Sequence, residues 1–380
     1  MPNVESVSLS VQRKIGSGTV VDVADVGTFS HHLVQERNLN SVPYFTTFQK
    51  GAQDASLYPN GVVPAVEAGL PANYTKAGFN FEGDKALPAN FLVPYVGWQT
   101  IQYYEFVGSS NYNSLQISAR RALSRTLTFR LAYTFSRAFG TGSADFAANN
   151  PYNTRAYNYG LEAFDRTHLL SMNYIYNLPK FSRLVDKPRL AEWALDNWEI
   201  SGIVTASTGA PDQLALSING VNAGQTLLGT YSIAPNLYRV GGAPGPSKGL
   251  QVNPDAYYAP AIGDIGPYPN AYLRGPGFWN ADISVFKNIP LGADRKRYAQ
   301  LRLEMFNAFN HTEFTDVNNA VQLTAPNGAI GSAVLNSYPN VGITNNLRKE
   351  GSTAPLGQYF GEYNAARSPR IIQLALKVYF

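Results

Sequence analysis

The chain has 380 residues, enough for about two or three soluble domains or one large β-barrel. Charged residues are only 15%, against about 25% in soluble domains, and 24 Tyr with 20 Phe give 13% aromatics, a composition suited to a lipid boundary. The net charge of +4 comes with short clusters such as Arg120-Arg121 and Arg295-Lys296-Arg297, which speak for solvated turns and against nucleic-acid binding; the lack of cysteine excludes disulfides, thiolate metal sites and cysteine nucleophiles.

No apolar run approaches the ~18 residues of a membrane helix, so a membrane could be crossed only by strands closed into a barrel. The opening Met1-Pro2-Asn3-Val4-Glu5 has neither the basic segment nor the apolar core of a signal peptide.

Alternation with period two predicts strands throughout. Val7, Leu9 and Val11 alternate with serines, Gly16-Ser17-Gly18 breaks the run, and Val21 and Val23 resume it, which reads as a hairpin of 5–14 with 19–28. Asp25 falls on the apolar parity, which requires a rim position or a register shift. Residues 29–110 lack sustained periodicity and read as a long loop with room for short strands. Leu115, Ile117 and Ala119, then Leu127, Phe129, Leu131, Tyr133 and Phe135, form a second hairpin around Leu123-Ser124-Arg125. A third pairs 166–178 with 196–208, with a short helix expected near Leu190-Ala191-Glu192-Trp193; a fourth pairs 279–289 with 298–309. Between them lie loops 138–165, 209–278 and 310–368.

The closing stretch places Ile372, Leu374, Leu376, Val378 and Phe380 at spacing two, ending on an aromatic as a barrel-closing strand does. Taken alone, Ile371, Leu374, Ala375 and Val378 would also make a helical stripe; the rest of the chain decides for a strand. Strands of ten residues rise roughly 33 Å. Tilted by about 40°, they span close to the ~25 Å apolar band of an outer-membrane barrel. Phe135, Tyr176, Trp198, Trp279, Tyr379 and Phe380 fall near strand ends, where aromatic rings favour the interface.

The predicted fold is therefore all-β: an antiparallel transmembrane barrel with short turns at one end and long extracellular loops at the other. Nine strands are expected, or ten with one boundary drawn differently. Single-chain bacterial barrels have an even number, and nine would leave both outer strands unpaired, so an incomplete barrel is expected.

Arg274-Gly275-Pro276-Gly277-Phe278-Trp279-Asn280-Ala281-Asp282-Ile283-Ser284-Val285-Phe286-Lys287 resembles the penultimate hairpin of the Oar-like TonB-dependent transporters. Leu301-Arg302-Leu303-Glu304-Met305-Phe306-Asn307-Ala308-Phe309-Asn310-His311-Thr312 and Pro369 to Phe380 continue the resemblance, and Asn113-Ser114-Leu115-Gln116 and Tyr133-Thr134-Phe135-Ser136 fit it as well. It covers most strands and not the loops. It implies that residues 1–380 are the C-terminal part of a barrel of about 22 strands in the cell outer membrane of a Gram-negative-type bacterium. The early strands, the plug and the TonB-contacting box would lie outside this sequence. The partners implied are outer-membrane lipid, that missing barrel and plug, the TonB system and the barrel assembly machinery; nucleic acid is not among them.

No Gly-x-Ser-x-Gly elbow, phosphate-binding loop or His-Glu-x-x-His occurs, and no enzyme activity, cofactor or metal is expected. His31-His32 point apart in an extended chain, and Asp22 with Asp25 fall far short of a calcium ligand set. Gln116, Arg130, Glu199, Arg302 and Glu304 sit on the polar parity as candidate lumen-facing residues, or as a hydrated, salt-bridged wall. Uptake of large nutrients is the expected role; a small self-contained porin and a soluble β-rich carbohydrate-binding surface protein are the alternatives.

Overall fold

A computed structural model describes residues 1–16, 18–49, 52, 86–121, 126–143, 158–184, 188–212, 215–218, 221–222, 224, 228–231, 238–239, 257–258, 265, 273–291, 297–323, 352–355 and 357–380. Nine successive strands form one antiparallel sheet in chain order: β1 (Asn3–Ile15), β2 (Thr19–Asn38), β3 (Gln102–Arg121), β4 (Leu127–Gly140), β5 (His168–Asn177), β6 (Trp198–Ser207), β7 (Phe278–Pro290), β8 (Tyr298–Phe306) and β9 (Ile371–Tyr379). A two-residue strand, Gly160–Leu161, adds to the end of β4. Among the described residues the sheet is open: β1 pairs only with β2, and β9 only with β8.

The strand ends joined by connections 16–18, 122–126, 178–197 and 291–297 lie at one end of the sheet, and those joined by 39–101, 141–167, 208–277 and 307–370 at the other. The turn Leu123-Ser124-Arg125 and the cluster at Arg295-Lys296 lie outside the described residues. The expected short helix is present as Pro188–Leu195. The long connections carry small sheets of their own, such as Pro211–Asp212 with Leu273–Arg274 and Phe314–Val317 with Tyr363–Ala366.

The stretch expected to be loop from 29 to 110 is partly strand. β2 continues to Asn38 and β3 begins at Gln102. The parity pattern misses this because the ladder shifts register between His31 and Leu33 and again between Leu33 and Gln35, with His32 in the left-handed region at φ 56°. Each shift moves the following side chains relative to the faces, so one period-two reading cannot run through. Asp25 does not need such a shift. It stays on the apolar face, exposed, opposite Leu9 and Leu115 in the row that reaches Phe135 and His168, where β5 begins.

The register aligns the apolar parity of every strand. Directly opposed residues of antiparallel strands share a face, and the ladder links Val11, Val23, Ile117, Tyr133, Leu170 and Ala206, in turn opposite Trp279. Ile283, Met305 and Ile372 continue the same face to β9. Gly202 in this face leaves room for the Tyr174 ring opposite it: a Cβ there would lie 2.8 Å from the Tyr174 hydroxyl oxygen.

These apolar side chains do not turn toward a shared dry core. Leu9, Val11, Leu301, Leu374 and Leu376 are all exposed, Leu374 at 81%. The fully buried large side chains among the described residues, Phe360, Leu228, Val42 and Thr47, belong to the long connections.

Candidate transport face and its rim

The face opposite the apolar one is polar, and all five predicted residues lie on it by register. Gln116 is opposite Ala24 and Thr134, Arg130 opposite Arg120 and Asn173, Glu199 opposite Asn177 and Phe286, and Arg302 opposite Phe286 and Ala375. Glu304 is opposite Ser284 and Gln373. Arg130 and Glu304 line one open cavity of about 500 Å³ with Asn173, Ser201, Asp282 and Ser284. Glu199 belongs instead to a cavity of about 300 Å³ at the short-turn end with Lys180, Asn288 and Tyr298. Gln116 lies apart on β3, where its amide donates to Ser114 Oγ at 3.1 Å.

Arg302 is held rather than free. Its Nε donates to Gln300 Oε1, its Nη2 donates to the Tyr379 hydroxyl at 3.0 Å, and its guanidinium stands 5.2 Å from the centre of the Phe286 ring. Tyr379 stacks on Tyr298 with centroids 4.5 Å apart. Tyr379 thus belongs to the polar face, while Phe135, Tyr176, Trp198 and Trp279 belong to the apolar one.

In the closing strand, Ile372, Leu374, Leu376 and Val378 are exposed on the apolar face opposite Met305, Leu303, Leu301 and Ala299, and Phe380 follows the strand almost fully exposed. Asp22 and Asp25 fall on opposite faces, Asp22 with Gln12 and Ser118, Asp25 with Leu9 and Leu115. No group of three or more His, Asp or Glu side chains is arranged to hold a metal among the described residues.

The long-loop rim carries buried charges that a pattern reading does not find. The motif around Asn307 builds the corner after β8. Asn307 and Asn310 both take positive φ, Asp282 accepts from the Asn307 N–H at 2.9 Å, and Asn307 Oδ1 accepts from the His311 N–H at 3.1 Å. Asparagine suits this corner because its short side chain bonds the local backbone and tolerates the left-handed region. Glu313, buried, accepts from the Trp279 N–H at 3.1 Å and contacts His311 Nδ1 at 2.8 Å, joining the starts of two elements.

Across the rim, Asp165 pairs with Arg274 and accepts from the Ala138 N–H at 2.7 Å, while Arg274 Nη1 donates to the Gly209 carbonyl at 3.0 Å. Glu162 is 3% exposed and its Oε1 has no partner among the described residues. Burial raises its carboxyl above the ordinary value, against hydrogen bonds from Ser143 and the Gly142 backbone. It fits only because Gly140 has no side chain; a Cβ there would fall 1.6 Å from Oε1. The one sequence cue to this group is position: Asp165 stands three residues before β5, and Arg274 directly before the Gly-Pro-Gly that leads into β7.

The short-turn end is tied through Asp196 and Lys287. Ser182 donates to Asp196 through both its N–H (2.9 Å) and its hydroxyl (2.7 Å). Burial works to raise the Asp196 carboxyl, but these bonds, with Lys180 and Lys287 nearby, hold it below its ordinary value. Lys287 lies on the apolar face opposite Trp198 and Leu301, yet its Nζ donates to the carbonyls of Asp196 and of Ala194 (3.3 Å).

A nine-strand meander with one continuous apolar face bared to its surroundings, a polar face behind it and connections sorted by length defines the wall of an outer-membrane β-barrel. The outer membrane beta barrel domain family matches residues 1–373, and the chain belongs to that family. Its apolar face accordingly meets membrane lipid.

Among solved structures the chain is similar to the outer membrane transporter YddB from Escherichia coli, at 10% identity and a TM-score of 0.39 over 84% of this chain and 30% of that one. It is also similar to the ferric-catecholate import receptor Fiu from E. coli K12, at 8% identity and a TM-score of 0.36 over 100% of this chain and 28% of that one. The chain thus spans about a third or less of the length of either. No curated protein matches it.

Proposed function

We propose that this chain is part of the wall of an Oar-like TonB-dependent transporter, in the outer membrane of a Gram-negative bacterium, that takes up large nutrients. The observation that carries the reading is the pair of free edges flanking a two-faced sheet. A closed barrel of about eight strands has an interior filled by its own side chains. Here nine strands leave β1 and β9 unjoined, and the polar face keeps an open cavity lined by Arg130, Asp282 and Glu304. Further strands joining those edges would complete a wide cylinder of about 22 strands, with Gln116, Arg130, Glu199, Arg302 and Glu304 toward the lumen. A plug filling that lumen would couple uptake to TonB. The barrel assembly machinery would engage β9 at its free edge and its Ile372, Leu374, Leu376, Val378 and Phe380 face. No chemical step is assigned to the chain; its role is passage, not catalysis.

Two measurements test this. The sequence contains no cysteine, so single cysteines introduced at the five polar-face positions can be labelled in intact outer membranes without background. A membrane-impermeant maleimide should label them, and should leave Leu303→Cys and Leu170→Cys unlabelled. Uptake should stop when TonB is removed; uptake that persists without TonB would mean passive diffusion and defeat the transporter reading.

A further inference from the structure

Where β2 runs into the 39–101 connection, the described residues frame an open cavity of about 680 Å³. Small-molecule sites run from about 300 to 1,000 Å³. Two asparagines fix the frame. Asn38 Oδ1 accepts from the Asn40 N–H at 2.9 Å and from the Ile101 N–H at 3.1 Å. The buried Asn40 donates through its amide to the carbonyls of Tyr95, Trp98 and Gln99, and its Oδ1 accepts from the Tyr95 N–H at 2.8 Å. These bonds hold the backbone of Trp98 at the cavity wall, while its side chain stays 72% exposed. An indole held this way is a preorganised flat apolar platform. Around it stand polar groups with bonding capacity left over. Glu36 Oε1 accepts from Gln102 Nε2 at 3.0 Å. Its second oxygen, the Asn38 Nδ2, the side-chain amides of Asn90 and Gln99 and the Thr100 hydroxyl have no partner among the described residues. The described lining holds no Lys, Arg or His, and Arg37, next in sequence to Glu36, is paired with Glu105 at 3.4 Å.

From this arrangement we infer a binding site for a neutral oligosaccharide at the long-loop end, which in these barrels faces the medium. A sugar ring presents a face of C–H bonds and a rim of hydroxyls. The C–H face stacks on the Trp98 indole, and the hydroxyls meet the Asn90 and Gln99 amides and the free Glu36 oxygen. Carboxamides suit hydroxyls because they too offer a donor and an acceptor side by side. An anionic ligand is disfavoured, since Glu36 repels it and the lining supplies no cation. An apolar ligand is disfavoured by the amide and carboxylate groups it would bury unpaired. Phe91 and Tyr95, exposed in the same stretch, add aromatic surface for further sugar units. The inference deepens the proposed uptake role by naming a ligand class, and rests on it only for which end of the sheet faces outward.

The test is isothermal titration calorimetry of the full chain, extracted from the outer membrane in detergent, against neutral hexasaccharides of glucose, mannose, xylose and galactose. At least one should bind saturably at a single site. Trp98→Ala should weaken that binding about tenfold or more through loss of the stacking surface, and Asn90→Ala and Gln99→Ala about threefold to tenfold each, as for one hydrogen bond. All three side chains are exposed, so these changes leave the fold intact. Trp193→Ala, which removes an exposed indole at the short-turn end, should bind as the native chain does. Binding of none of the hexasaccharides, unchanged binding in Trp98→Ala, an equal loss in Trp193→Ala, or tighter binding of hexagalacturonate or of a neutral hexapeptide would each overturn the site. Uptake that proved independent of TonB would leave it standing, because binding is read without transport.

Discussion

The two ends of the sheet are fastened in different ways. At the short-turn end the main carboxylate, that of Asp196, is satisfied by Ser182 from the same connection, and Lys287 reaches the Asp196 backbone carbonyl from far along the chain. At the long-loop end the fastenings join distant segments: Asp165 with Arg274, Glu313 with Trp279, and Asn40, whose amide binds the carbonyls of Tyr95, Trp98 and Gln99. A short turn has few backbone groups to satisfy and can do so locally. A long connection must be tied to its neighbours to hold any one shape, since its own residues are too few in contact to offset their ordering entropy. The lesson is that the loop end is ordered by buried charge, and the turn end by chain geometry.

That contrast can be broken most severely at Arg274. Arg274→Met should leave Asp165, whose side chain is fully buried, without its cation. Removing one partner of a buried pair costs about 3–5 kcal/mol, and with Arg274 itself partly exposed the lower end is expected. The loss should be confined to the long-loop end: hydrogen exchange should speed up over 158–167 and 273–277 while 178–197 stays protected. A uniform loss of protection at both ends would show that the ends are not independent.

A smaller break is Glu313→Ala. It strands the Trp279 N–H and removes the partner of His311, and an unsatisfied buried donor costs about 1–3 kcal/mol. The Trp279 ring, which lies 5.1 Å from His311 and 5.7 Å from Phe309, should become more mobile, seen as a change in its fluorescence anisotropy. Trp198 at the other end should not respond.

The same division explains what could be read from sequence. The strands β4 to β9 obey one parity from end to end, and residues such as Leu301, Leu303, Leu374 and Leu376 announce their face by spacing alone. The five polar-face positions follow from the same parity. β2 was legible only to residue 28 and β3 only from Ser114, because the register shifts between His31 and Leu33 and between Leu33 and Gln35 break the period just beyond. Asp165, Arg274, Glu162 and Glu313 obey no period. Their pairing depends on which long connections meet at the rim, and Asp165 and Arg274 are 109 positions apart. Lys287 sat in plain view inside the Val285-Phe286-Lys287 run, but its burial rests on the fold of another connection.

The mildest and sharpest test of the two ends is pH, because their carboxylates are displaced in opposite directions. Glu162 is raised from 4.5 by burial, so the fold favours its protonated form. Its contribution to stability is complete below 4.5 and is lost as pH rises through its higher folded value. Asp196 is lowered from 3.8, against the pull of burial, by its Ser182 hydrogen bonds and the nearby lysines. Its contribution is complete above 3.8 and is lost as pH falls through the lower folded value. Acidifying from neutral to about 4.5 should therefore tighten the connection holding Glu162, and going below 3.8 should loosen the one holding Asp196. Hydrogen exchange corrected for intrinsic rates, followed separately over 158–167 and 178–184, reads the two responses. Glu162→Gln should abolish the first and leave the second, and Asp196→Asn the reverse. Responses of the same sign at both ends would mean that the carboxylates are governed by the charge of the whole chain, and that the distinction between the two fastenings does not extend to their electrostatics.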